Sequence, residues 1–242
     1  MADVAISGGG IMALIQITCD DDGNLSGSHH ALPKDRPVVI LLHGFLYAPG
    51  TGISCPHRSL YAKSSTHPAL RSRNWPARLH VGNEDISAIG FGWPGRGSVW
   101  RAWRAAATAG KALGGLISEI KSTAPDRPIH IVGHSMGARV AMTALQHADA
   151  GSIDRVIVLN AADFVNHVEL AVARQERSLS LYNVTSRENA LFDALVEWCL
   201  STHWFDGKTV GRGFDAPCAV TLRLDQDHHL DALRRFGFDI PS

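Results

Sequence analysis

The sequence predicts an α/β fold, a doubly wound and mostly parallel sheet with helices on both faces. Three observations predict it. Short runs of Val, Ile and Leu alternate with longer stretches whose apolar residues recur at helical spacing, the pattern of strands buried on both faces and joined by crossover helices. Glycine is abundant, 23 residues, as many short strand-to-helix turns require. Gly133-His134-Ser135-Met136-Gly137 lies between an apolar run at 129–132 and a helical stretch at 138–147, so a strand turns sharply into a helix there.

Each element follows in order. Residues 11–18 read as an early strand, hairpinned with 4–7. A polar connection spans 20–35, and its His29-His30 pair reads as a solvated loop, not a metal site. Pro37 precedes a buried strand at 38–42, followed at once by His43-Gly44-Phe45. Residues 46–81 carry Pro49, Pro56, Pro68, Pro76 and Trp75. So long a loop inside a compact domain is expected to be a lid or binding segment. A strand follows at 86–91. Gly92-Trp93-Pro94-Gly95-Arg96-Gly97 lacks the order of a dinucleotide loop and reads as a tight turn. A long helix is expected at 98–122; its Trp100 and Trp103, with Trp93, read as core packing ahead of pocket lining. Further strands are expected at 155–159, 180–184 and 219–224, and helices at 190–200 and 227–236. No repeat or low-complexity linker interrupts this order, so residues 1–242 are expected to form one domain.

Composition narrows the function classes. With 45% hydrophobic and 19% charged residues the chain has the make-up of a globular protein. Its formal net charge is zero, which predicts no nucleic-acid partner and no steering to a membrane surface. No apolar run reaches the roughly eighteen residues of a membrane span. The N-terminus lacks the basic start of a signal peptide. Cys19, Cys55, Cys199 and Cys218 are scattered without a C-x-x-C pair and read as free thiols. A cytoplasmic location is expected. H-E-x-x-H, C-x-x-C and phosphate-binding loops are all missing from the sequence, so no metal and no cofactor are expected.

The chemistry concentrates at the G-x-S-x-G turn. Small residues two positions either side of Ser135 let strand and helix approach, and the strained turn lifts the hydroxyl beside the positive end of the new helix. Ser135 is the expected nucleophile. With His43-Gly44-Phe45 after an earlier strand, the pattern from Val38 onward resembles the α/β-hydrolase superfamily. The resemblance implies an oxyanion hole built from the backbone amides of Phe45 and Met136, with His43 as an orienting residue.

Leu159-Asn160-Ala161-Ala162-Asp163 and the stretch 181–189 look like a group of largely uncharacterised bacterial hydrolases, in which an acidic residue precedes x-A-L. Glu188-Asn189-Ala190-Leu191 matches, which implies Glu188 as the triad acid. Asp163, after the preceding strand, is the alternative acid, and Asp193 is less well aimed. The superfamily order of Ser, acid, His requires a downstream histidine. His203, His228 and His229 qualify, and His229 or His228 is expected because both follow the last strand. The resembled sequences continue past the equivalent of Gly237-Phe238-Asp239-Ile240 into a segment with a His-Trp pair, so a missing C-terminal segment carrying the base is the other expectation.

The implied activity is cleavage of a small-molecule carboxylic ester or thioester through an acyl-enzyme. The alternatives are a catalytically impaired binding protein of the same fold, or an acyltransferase.

Overall fold

The computed structural model describes residues 14–62, 74–175, 179–200 and 208–235. Its sheet holds eight strands: β1 (Leu14–Cys19), β2 (Leu25–Ser26), β3 (Val38–Leu42), β4 (Ser87–Gly92), β5 (Ile129–His134), β6 (Arg155–Leu159), β7 (Ser180–Thr185) and β8 (Ala219–Arg223). Their order is β2-β1-β4-β3-β5-β6-β7-β8, and only the β1–β2 pair is antiparallel. Every residue of β3 and β4 is buried, as a strand covered on both faces demands. β8 forms the edge, and its Val220 is half exposed.

The helices are α1 (Pro56–Ser59), α2 (Trp75–Arg78), α3 (Val99–Thr123), α4 (Gly137–His147), α5 (Val165–Ala173), α6 (Ala190–Leu200) and α7 (Asp227–Arg235). α3 begins where the Ser98 side chain accepts the Arg101 N–H at 3.2 Å. It buries Ala102, Ala106, Ala109, Leu113, Ile117 and Ile120, steps of three and four that keep one stripe against the core. α3 lies on α4 and α4 on α5, which covers one face. On the other face Leu60, Tyr61 and Val81 pack against Leu14, Val39, Leu41 and Val132.

Several elements differ from expectation. α5 was absent from the sequence reading. The antiparallel partner of β1 among the described residues is β2, inside the expected polar connection, while the expected strand at 4–7 lies outside the described residues. The proline-rich stretch 46–81 contains a 3-10 turn at Gly52–Ser54 as well as α1 and α2, and its residues 63–73 lie outside the described residues. His29, expected in solvent, is only 6% exposed. The four cysteines are free thiols. Burial, reinforced by Asp20 and Asp21, pushes the Cys19 thiol up to about 12, which leaves it protonated at neutral pH. No helix among the described residues is long and apolar enough to cross a membrane.

The connections reverse direction at β3. The chain leaves it for β4 on one side and returns to β5 on the other. In an open α/β sheet such a switch point opens a crevice outside the carboxyl ends of the strands. His43-Gly44 leaves β3 there, and Ser135 leaves β5 there.

Candidate active site

Ser135 sits at φ +54°, a left-handed conformation that costs a residue with a Cβ about 1–3 kcal/mol. Hydrogen bonds hold it in place. Its N–H donates to Leu159 O at 3.0 Å, and its carbonyl accepts from Ala138 N at 2.9 Å and Ala162 N at 3.1 Å. The surrounding glycines are required by close approach. A Cβ on Gly44 would stand 2.9 Å from the Ser135 Cβ, and one on Gly137 would strike the Leu42 and His43 carbonyls. A Cβ on Gly133 would lie 2.9 Å from the Gly137 carbonyl. The β3 loop, the end of β5 and the start of α4 thus meet with no room for side chains between them.

This packing brings Ser135 and His134 against Gly44, the residue before Phe45. Among the described residues, neither the Phe45 N–H nor the Met136 N–H has a hydrogen-bond acceptor. Likewise no described residue hydrogen-bonds Ser135 Oγ, although the residue is 93% buried (7% exposed). Ser135 and Met136 form a corner at the positive end of α4, with Met136 at its N-cap.

His43 braces this corner from below. Its ring is fully buried, donates from Nδ1 to Gly44 O at 2.8 Å, and accepts the Trp93 N–H on Nε2 at 3.1 Å. The Trp93 indole stacks on it with centroids 5.0 Å apart and returns a bond from Nε1 to His43 O at 3.1 Å. Burial pushes the imidazole down to about 3, so it stays neutral and does not act as a base near pH 7. His57 is pushed down to about 4 by the same cause.

A pH dependence of stability follows. The unfolded chain protonates His43 near 6.5 and the folded protein near 3. Between those values the unfolded state binds the extra proton, so stability falls as pH drops. From pH 6.5 to about 5 this single group should cost about 2 kcal/mol of unfolding free energy, before most carboxylates titrate. Urea unfolding at the two pH values measures it, and equal stabilities would mean the ring accepts a proton in the fold.

The two acid candidates have different surroundings. Asp163 is fully buried near the end of the loop from β6 into α5. Its carboxylate accepts from His167 Nδ1 at 2.6 Å, from Arg139 Nη1 at 3.2 Å and from its neighbour Phe164 N at 3.0 Å. Arg139 in turn lies 3.8 Å over the Trp103 ring and donates from Nε to Trp103 O. Asp163 therefore faces His167, not His228 or His229, and ties α4 to α5. Glu188 is exposed in a 3-10 turn at Arg187–Asn189. Beside it Arg187 engages Asp225 twice, backbone N–H to Oδ1 at 3.2 Å and guanidinium to Oδ2 at 3.3 Å. That tie brings the loop after β7 beside the loop leading from β8 into α7. Asp193 is buried in α6 against Gly211.

Of the histidine candidates, His203 lies outside the described residues. His228 is exposed. His229 is half-buried, and its Nδ1 accepts the Arg223 backbone N–H at 2.9 Å. The reason is local: β8 is an edge strand, and the first turn of α7 supplies an acceptor for an outward N–H. This differs from the expected placement of Nδ1 toward a carboxylate. Sequence reading also missed the Asp163–His167 pair, whose i,i+4 spacing is a local signal, while Trp75, in the segment expected to be a lid, meets His134 edge-on at 6.4 Å.

Solved structures to which the chain is similar include three esterases. The catalytic core domain of acetyl xylan esterase from Trichoderma reesei is 14% identical at a TM-score of 0.40, over 84% of this chain and 94% of that one. Trichoderma reesei cutinase in complex with a phosphonate inhibitor is 14% identical at 0.37, over 85% of this chain and 66% of that one. The carboxylesterase CesB from Bacillus subtilis is 10% identical at 0.35, over 85% and 84%. None of the curated proteins matches the chain. The model of a family described as alpha/beta hydrolase of unknown function (DUF900) matches residues 29–191, more than half of the chain, and the protein belongs to that family.

Proposed function

We propose that the protein hydrolyses a small-molecule carboxylic ester or thioester, with Ser135 as nucleophile and the amides of Phe45 and Met136 binding the oxyanion. The observation that carries this reading is the strained Ser135, held by backbone bonds beside two amides that have no acceptor among the described residues. Ser135 Oγ attacks the carbonyl carbon and its proton passes to a base. The oxyanion is held by N–H groups that need no reorganisation, each worth roughly 3–4 kcal/mol in the transition state. The C–O or C–S bond breaks, the leaving group takes the proton, and water then cleaves the acyl-enzyme.

Glu188 and one histidine of α7 complete the proposed relay. The Arg187–Asp225 tie supports it by drawing their loops together. For His229 to serve, its Nδ1 must release the Arg223 N–H, a loss of about 1 kcal/mol that is small against the value of an oriented base. His228 carries no such bond. Trp75, against His134, places α2 beside the proposed site.

A second reading, a hydrolase-fold protein that binds without turnover, is favoured by the committed Nδ1 of His229. The test is labelling with a fluorophosphonate probe and turnover of p-nitrophenyl esters. Labelling at Ser135 is expected, and Gly44→Ala should cut kcat about a hundredfold by displacing the serine. A folded protein that neither labels nor turns over would support the binding reading.

A further inference from the structure

We propose that His29, His30 and Glu119 form a binding site for a borderline divalent transition-metal ion such as Zn2+. One ring nitrogen of each histidine and one carboxylate oxygen of Glu119 lie within 4.8 Å of one another. The two rings are 4.3 Å apart, and His30 Nε2 stands 4.0 Å from Glu119 Oε1. A tetrahedral zinc site with bonds of about 2.0–2.2 Å needs donor atoms about 3.4 Å apart, so the three groups must close by roughly an ångström. The side chains of His30 and Glu119 are 70% and 55% exposed and can rotate to do so.

His29 is the buried member of the cluster. It is 94% buried (6% exposed), yet its Nε2 has no hydrogen-bond partner among the described residues. An imidazole buried with an orphaned nitrogen costs free energy that a ligand would recover. Two neutral nitrogens with one carboxylate suit zinc or a neighbour in the series instead of calcium or magnesium. The site would clip the connection after β2 to the last third of α3, leaving one coordination position for water.

Metal-stripped protein titrated with Zn2+ against a competing chelator tests this, with thermal unfolding in parallel. One equivalent should bind, and the ion should raise Tm. Glu119→Gln and His30→Ala change exposed side chains, so both should match the wild-type Tm without metal. Each should weaken zinc binding at least about tenfold and lose the zinc-dependent rise in Tm. No stoichiometric binding by wild type, or equal binding by wild type and both variants, would overturn the site.

Discussion

Ser135→Gly is expected to abolish ester turnover while giving a more stable protein than Ser135→Ala. Both variants remove the proposed nucleophile, and kcat should fall at least about a thousandfold in each, to whatever the proposed oxyanion amides alone support. They differ in the backbone. At φ +54° alanine keeps the steric penalty of a Cβ in the left-handed region, and glycine does not. Glycine loses more chain entropy on folding, about 0.4–1 kcal/mol, which offsets part of the gain. A net advantage of about 1 kcal/mol for the glycine variant is expected by urea unfolding. Equal stability would mean that the strain is no larger than the glycine entropy cost, and full activity in either variant would remove Ser135 from the reaction.

Why that turn was legible in sequence, and other parts were not, has a physical basis. The elbow is written locally. An apolar run, small residues at fixed offsets and a helical stretch lie within twenty residues of one another, and no distant contact is needed to place them. The central strands were legible for the same reason, since β3 and β4 are buried on both faces and so read as unbroken apolar runs. α5 carries neither signal. Phe164 stands at its N-cap with no side-chain bond, only Val168 and Ala171 are buried on it, and Leu170 is 64% exposed. It is held by α4 and by the His167–Asp163 bond, which are tertiary facts. The relay is harder still. Sequence order restricts acid and base to particular loops, but where a side chain points depends on what else competes for it. His229 bonds an edge-strand N–H and Asp163 is claimed by Arg139 and His167. Arg139, 24 residues from Asp163, lies where no linear motif reveals it, whereas His167 stands only four residues on.

Those competitors set the largest stability effect expected from one side chain, and it separates the two acids. Asp163 is fully buried, with Arg139 only 17% and His167 20% exposed around it. Removing the carboxylate charge leaves a desolvated guanidinium with only its contact to Trp103 and its bond to the Trp103 carbonyl. Breaking one side of such a buried pair costs about 3–5 kcal/mol, because the surviving charge is stranded. Asp163→Ala should therefore lower Tm by many degrees, and Asp163→Asn, which keeps an acceptor, by less. Replacing both partners with apolar residues, as in the double variant Asp163→Leu/Arg139→Leu, should recover much of the loss. Glu188 is exposed, so Glu188→Gln should leave Tm unchanged within about 0.5 kcal/mol. If Glu188 orients the base, the same change should slow kcat by orders of magnitude through loss of the imidazole tautomer and its charge stabilisation. The decisive measurement is kcat and Tm on the same preparations. A stable but inactive Asp163→Asn beside a fully active Glu188→Gln would move the acid to the β6 loop, and with it the search for the base to His167.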